Sequence, residues 1–449
     1  MMTILSEQQA KKLLTKVLKY SKAESCECNL SGQLSGNIRY ARNTVSTAGQ
    51  VSDITLAVQS TNGLKTGVAT INEFDDASIL KVVRRSEELA SLAPDNPETM
   101  PLFGPQKYIK TKSYFDSTAS VTPEDRAQAA EDSIAPSKKN KLISSGFLNE
   151  TVAFEAIINN KGLFAYNTAT NVEFTVTIRT EDGTGSGWVT RDFSDYSKLD
   201  TAEASQVAIQ KSMGSVDAKA MEPGKYTVIL EPAASIDLLR NMAFSMDQRS
   251  ADEGRSFMSK KPEEGKEGGP TNKLGEKMFD QRVNMYSDPA HPDVPTAPFA
   301  NDGHSVGRTD WIKDGKVVNM PNTPYWANKT GVDYKPTTAS GLQFIMEGGT
   351  ESLEEMIKNT RRGILVTRLW YIRQLDPQSL LYTGLTRDGT FYIENGKIKY
   401  PIKNFRFNES PIIMLNNIEA MGKPQRINGC MVPTMKIRDF TFSSLSDAV

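Results

Sequence analysis

Histidine is nearly absent from this chain of 449 residues: His291 and His304 are the only two, beside three cysteines, Cys26, Cys28 and Cys430. So few imidazoles leave little from which to build a histidine-rich metal site, and neither lies in a local motif with a nucleophilic serine or cysteine. An odd number of cysteines does not suit a disulfide framework. In Cys26-Glu27-Cys28 the two thiols occupy alternate strand positions that point the same way, which suits bridging poorly. Excess charge is lacking too, since 53 Lys and Arg against 54 Asp and Glu give a formal net charge of −1. That balance offers no bulk electrostatic grip on nucleic acid or on an anionic membrane. The N-terminus shows no basic stretch followed by an apolar core, and no apolar run approaches membrane length, so a cytoplasmic protein is expected. Phosphate-loop signatures are also missing. Residues 180–189 and Gly348-Gly349 are glycine-rich, but turn glycine explains both better than a nucleotide loop.

What is present suffices for a sizeable core, with 38% hydrophobic and 24% charged residues. The length suggests roughly two to four domains. Ser6 with Gln9 makes a capping-box pattern, and Leu13, Leu14, Val17 and Leu18 follow at helical spacing. From 26 to 70 the pattern changes to short alternating runs separated by glycine turn signals, which predicts antiparallel strands. Helical spacing returns over 75–92 and stops at Pro94 and Pro97. A Pro-, Lys- and Ser-rich connection covers 94–121, and Thr122-Pro123 starts another helix. Four or five short strands are predicted between 142 and 190, then a helix over 202–213. Helix, strands and helix therefore occur twice, as in a duplicated unit.

The expected fold is α+β: two small helix-plus-antiparallel-sheet units, over 1–115 and 116–222, followed by a β-rich domain over 223–449 that is barrel- or sandwich-like. In that last segment Asp314-Gly315, Asp388-Gly389 and Asn395-Gly396 read as hairpin turns. A single helix interrupts the strands, starting at Ser352 with Glu355 three residues on. The charged loop 259–273 reads as mobile. Pro289, Pro292, Pro295 and Pro298, spaced by three, fit one edge of a polyproline II segment, read here as a rigid covering loop in preference to a docking strip.

Two places invite a functional reading from the residues alone. Strand 226–230 stops at Glu231-Pro232 and leads into "LLRNMAFSMDQRS", 238–250, read as one helix. "ADEGRSF" follows, where a helix end at Gly254 is preferred over substrate gripping by Glu253 and Arg255. His291 and His304, with Asp288, Asp293 and Asp302 nearby, offer nitrogen and oxygen donors for a metal. No regular element fixes their spacing, however, and a catalytic metal needs rigidly held ligands, so plain loop histidines are preferred.

Several strings together resemble one family. "IRYARNTVSTAG", "LEPAASIDLL", "DEGRSF" and the stretch from "SLEEMIKNTRRG" to "KIKYPIKN" are similar, in this order and over nearly the whole chain, to the TldD/PmbA family. These are metallopeptidase-related proteins also labelled modulators of DNA gyrase. The resemblance implies a helix that, in catalytic members, carries His-Glu-x-x-x-His and holds zinc together with a later cysteine. Here Arg240 and Ser245 fall on the histidine positions and Asn241 on the glutamate. Arginine does not ligate zinc at neutral pH, asparagine cannot serve as the base, and one serine cannot hold the ion. Cys430 lies near the family cysteine and is read as incidental. The resemblance thus implies a PmbA- or TldE-type chain without a zinc site, with zinc expected only in a catalytic paralogue. Such a chain forms a homodimer, or a heterodimer with a TldD-type subunit, whose chamber admits unfolded or extended peptide. The alternatives are an active metallopeptidase using non-standard ligands such as His291 and His304, and a regulatory binding protein of a topoisomerase or toxin system.

Overall fold

A computed structural model describes residues 4–261, 269, 271–337 and 341–446. The chain opens with α1 (Glu7–Tyr20), whose Ser6 and Gln9 make the expected capping box. Next come β1 (Ser25–Ala41), β2 (Thr44–Asn62), β3 (Lys65–Ile71) and α2 (Asp76–Leu92). After a coil and the single-turn α3 (Asp116–Ala119), the plan repeats as α4 (Pro123–Lys139), β4 (Leu142–Asn159), β5 (Phe164–Thr180), β6 (Ser186–Phe193) and α5 (Thr201–Gly214). The two units do not stand apart. β1 pairs with β4 from Glu27–Asn159 to Tyr40–Gly146, giving one antiparallel sheet of order β3-β2-β1-β4-β5-β6.

The strands are longer and fewer than the sequence suggests, with three where four or five are expected between 142 and 190. The polar run Asn167-Thr168-Ala169-Thr170-Asn171 looks like a break. It stays extended because β4 pairs it on one side and Ser113 accepts from the Thr170 N–H on the other. Gly36 likewise sits inside β1. A Cβ there would overlap Arg126 and Glu150, whose ion pair is buried between α4 and the sheet. Glycine is the residue that leaves this slot open.

Side-chain alternation divides the sheet sharply. One face carries Cys28, Leu30, Leu56, Phe154, Ile38, Leu148, Phe174 and Val189, which pack in two clusters under the helices. The other face is polar: Ser35 and Thr151 share a 2.9 Å hydrogen bond, and Thr175 and Thr190 one of 3.1 Å. Cys26 and Cys28 point the same way, as their alternate positions predict, and the face they share is the helix face; they are unbridged, with sulfurs 3.9 Å apart.

The third segment runs β7 (Gly224–Leu230), α6 (Pro232–Phe244), α7 (Gln248–Asp252), β8 (Ser259–Lys260), β9 (Thr271–Asn272), β10 (Met285–Ser287), β11 (Thr309–Lys313), β12 (Lys316–Val317), α8 (Pro324–Thr330), β13 (Ile345–Met346), α9 (Leu353–Lys358), β14 (Arg362–Val366), β15 (Leu369–Asp376), β16 (Leu381–Thr386), β17 (Thr390–Glu394), β18 (Lys397–Pro401), β19 (Phe405–Glu409), α10 (Pro411–Asn416), β20 (Ile418–Ile427) and β21 (Cys430–Leu445). Thirteen of these strands form one sheet, and β21 pairs with β7, β13, β19 and β20. Because β21 serves two branches, the sheet forks. Of the two expected forms, barrel or sandwich, the closed barrel is not formed among the described residues, since β12 and β18 remain at opposite ends of the strand order.

Asp388-Gly389 is also not a hairpin turn. It carries the chain from β16, paired with β15 and β19, to β17, paired with β14 and β18. Asp388 is buried there against Arg368 at 2.7 Å and Ser186 at 2.6 Å. Most of the charged loop expected to be mobile lies outside the described residues. The proline-rich stretch is a cover rather than a polyproline strip: the Thr296 N–H reaches the Pro289 carbonyl at 3.1 Å, a span an extended segment of seven residues cannot close. Its Ala297 and Phe299 pack on Ile157, Leu163 and Ala165 of the N-terminal sheet. No helix of the described residues is long and apolar enough to cross a membrane.

Candidate functional site

β7 lies inside the forked sheet between β14 and β21, and Pro232 at the first position of α6 turns the chain away from its end. Glu231 ties this corner to the second unit through Lys211 at 2.6 Å. α6 buries Ala234, Leu238, Leu239, Met242 and Ala243 in the main core. Asp237, Arg240, Asn241 and Phe244, spaced by three and four, form its less buried face. The predicted helix over 238–250 is in fact two. Ser245 is the C-cap of α6, with its hydroxyl donating to the Asn241 carbonyl at 2.8 Å, and Asp247 caps α7 by accepting from the Ser250 N–H. The apolar spacing hides this break because Met246 and Ala251 are buried on both sides of it.

The β20–β21 hairpin faces this helix. Its turn, Asn428-Gly429, has both residues at positive φ and delivers Cys430 to the start of β21. Arg426 pins the hairpin to the first sheet. It donates to Asp192 at 2.9 Å, Ser194 at 3.1 Å, Asn171 at 3.2 Å and the Asp293 carbonyl, while the Gly429 N–H also donates to Asp192. Burial pushes the Cys430 thiol up; the guanidinium of Arg240 lies near enough to oppose that shift, and Asp192 near enough to add to it. The fold therefore brings Cys430, set aside in the sequence reading, within electrostatic range of Arg240. Only the tertiary pairing reveals this, because 189 residues of chain with no shared motif separate the two.

Arg240 makes no hydrogen bond or ion pair with any described residue. Asp237, one turn back, reaches solvent, yet surrounding protein raises its carboxyl while Arg240 and Arg368 oppose the rise.

This donor set does not fit zinc. Arg240 is a cation, the Ser245 hydroxyl is spent on the helix end, and the one thiol left, Cys430, cannot hold the ion alone. Nor does the alternative set assemble: among the described residues no three His, Cys, Asp or Glu side chains gather as a metal group. His291 Nδ1 accepts from the Asp293 N–H within its own loop, and the His304 ring lies between Phe103 and Tyr334 at 4.9 and 5.0 Å. Asp302 accepts from the Tyr334 hydroxyl, and Asp293 pairs with Lys198. Glu253 and Arg255 close α7. The Gly254 N–H bonds to Ala251 and the Arg255 N–H to Ser250, with Gly254 at φ 81°, and Glu253 pairs with both Arg249 and Arg255.

Two surfaces frame α6. A cleft of about 720 Å³ between the second unit and the forked sheet is lined by Trp188, Arg191, Lys211, Glu231, Gln425 and Arg426. On the other side α6 packs against β15, whose outer edge pairs with no described strand and which exposes Trp370, Tyr371 and Leu375.

Comparison with known proteins places this architecture. Residues 223–444 match the model described as PmbA/TldA metallopeptidase C-terminal domain, and residues 116–213 the corresponding central domain. Metalloprotease PmbA of Escherichia coli O157:H7 is 29% identical over 150 residues, 32% of each chain, so the match spans about a third of that curated relative. A metalloprotease of Methanothermobacter thermautotrophicus is 19% identical over 329 residues, 66% of this chain and 68% of that one. Among solved structures, one described as a modulator of a DNA gyrase from Thermotoga maritima gives a TM-score of 0.85 at 15% identity, covering 97% of this chain and 100% of that one. TldE from Thermococcus kodakarensis gives 0.84 at 17%, covering 97% and 99%. At such identities the structural likeness is one of fold.

Proposed function

The chain belongs to the PmbA/TldD metallopeptidase family, and from that premise we propose that it is a metal-free, peptide-binding member that forms half of a dimeric chamber and serves proteolysis or peptide maturation as the non-catalytic partner. The observation that carries this reading is the face of α6. Where a catalytic relative would present ligands and a base, this chain presents an unpaired guanidinium, an amide and a hydroxyl turned back on its own helix. Such groups grip carbonyls and carboxylates but do not activate water. The free edge of β15 beside α6 supports an extended peptide as ligand. Strand addition satisfies main-chain groups whatever the sequence, and the exposed Trp370, Tyr371 and Leu375 supply apolar contact. Gln378, in the β15–β16 turn, donates to the Gly254 carbonyl, which supports Glu253 and Arg255 as weaker contributors at the margin of this surface.

The test uses the purified chain with a fluorescently labelled unfolded peptide, alone and with a co-encoded paralogue that keeps the histidines. The isolated chain should bind the peptide without cleaving it, and cleavage should require the paralogue. Chelator-sensitive cleavage by the isolated chain would refute the proposal.

A further inference from the structure

The polar face of the N-terminal sheet is one-sided in charge. Strand register puts Glu27, Asp53, Glu155, Glu173 and Asp192 on this face, and of the lysines and arginines in the six strands only Arg39 and Arg179 share it. Those two stand toward one end, roughly 20 Å from Gln33 and 34 Å from Ala169 along their strands at 3.4 Å per residue. A hollow of about 430 Å³ opens around Gln33 and Ala169. One rung of the sheet makes its floor, with Asp53, Gln33, Ala153 and Ala169 in order across β2, β1, β4 and β5. The next rung, with Ser31, Glu155 and Asn167, makes a wall. Asp53 has no hydrogen bond or ion pair with any described residue, and Glu155 accepts only from the Asn167 amide at 3.5 Å. Burial pushes the Glu155 carboxyl up, and no cation lies near enough to oppose the rise.

The shortage of donors recurs further along the face. Glu173 lies opposite Asn149, six positions along β4 from Glu155, and Asp192 lies opposite Glu173. Asp192 is only 5% exposed. Its Oδ2 accepts from Arg426 and from the Gly429 N–H, but its Oδ1, also buried, meets no donor among the described residues. A buried acceptor of this kind requires a donor. Burial raises the Glu173 carboxyl, and Asp192 is near enough to add to the rise.

We propose that this face selects peptides by charge. The hollow takes the side chain of a lysine or arginine, with its aliphatic stem on Ala153 and Ala169 and its cationic head toward Asp53 and Glu155. A second basic residue six positions along the peptide reaches Glu173 and the open oxygen of Asp192. An alanine floor beside carboxylates matches a side chain that is apolar along its stem and charged at its tip. A bare metal ion is a poorer match, since no three His, Cys, Asp or Glu side chains gather among the described residues. The spacing agrees too, because an extended chain laid along β4 advances about 20 Å over six residues, as β4 itself does between the two seats. The inference rests on the peptide reading and adds the charge of the peptide; its residues lie apart from α6 and β15.

The experiment uses the full chain and fluorescence anisotropy with a short unstructured peptide carrying two lysines six positions apart, beside forms with alanine or glutamate at both places. The lysine form should bind about 10-fold more tightly than the alanine form, and the glutamate form most weakly. Asp53→Asn with Glu155→Gln should cut the preference for lysine to about 2-fold. Asp53→Lys with Glu155→Lys should make the glutamate form the best ligand, a gain that a misfolded chain cannot show. A peptide with its two lysines side by side should bind about 3-fold more weakly than the spaced form. Cadaverine at the same concentration should not displace the lysine form; displacement would assign the hollow to free amines and overturn the inference. Equal binding of the lysine and alanine forms, a preference untouched by the Asn and Gln changes, or indifference to lysine spacing also overturns it, while leaving the peptide reading standing. Failure of every form to bind sinks both.

Discussion

Two arginines lie within electrostatic range of Cys430, and their circumstances are opposite. Arg426 spends its guanidinium on Asp192, Ser194, Asn171 and the Asp293 carbonyl, joining two strands of one sheet and the covering loop to the hairpin that carries the cysteine. Arg240, on the facing helix, has no such partner among the described residues. One guanidinium maintains the geometry of the wall; the other is left available to whatever enters. The contrast separates scaffold from binding surface more clearly than burial alone, since both residues are shielded to some degree.

The contrast can be broken most forcefully by restoring donors. Replacing Arg240→His, Asn241→Glu and Ser245→His together, with Cys430 kept, should bind about one zinc per chain, measurable by elemental analysis at affinities of micromolar or better, ~8 kcal/mol. Arg240→His alone should bind none. If the triple variant also stays metal-free, the scaffold has drifted along with the donors. Next in size, Arg426→Ala strands a buried carboxylate and should lower stability by about 3–5 kcal/mol in urea unfolding. Arg240→Ala should change it by no more than about 0.5 kcal/mol while weakening peptide binding. Equal losses from the two would erase the distinction.

A third seam sharpens the picture through pH. Burial raises the Glu27 carboxyl to about 7, and nearby Asp302 of the covering loop adds to the rise. The folded state therefore holds this proton where the unfolded chain, near the ordinary 4.5, has released it. Stability from this group is full below pH 4.5 and is lost as pH rises toward 7. Glu27→Gln should flatten that slope and add on the order of 2 kcal/mol at pH 8, read from denaturation midpoints at pH 5 and 8. The smallest effect concerns the end of α7. Gly254→Ala, forced into positive φ, should cost about 1 kcal/mol, whereas Arg255→Ala should leave stability unchanged and reduce peptide affinity only slightly.

Much of this was legible in the sequence for identifiable reasons. Helix starts at Ser6, Thr122 and Ser352 depend on capping within a few residues, so local pattern suffices. The duplicated helix-sheet plan was visible for the same reason. What escaped depended on partners far away. Gly36 looks like a turn until Arg126 and Glu150 are brought against it, and Asn167–Asn171 looks like a loop until β4 pairs with it. The break at Ser245 was masked because apolar periodicity continues across it. Arg240, Asn241 and Ser245 were found through family likeness, while the electrostatic reach of Arg240 to Cys430 required the hairpin turn at Asn428-Gly429.

The seam between β1 and β4 carries a consequence for how the chain is made. Every rung of that ladder joins residues more than 100 positions apart, so during synthesis the first unit emerges with the inner edge of β1 unmatched as well as the outer edge of β2. Contacts of such long range form slowly, because the intervening chain must first be ordered. The amino-terminal half therefore cannot finish folding on the ribosome until β4 has left the exit tunnel, and that waiting period is when the nascent protein is most open to mispairing or to chaperone capture.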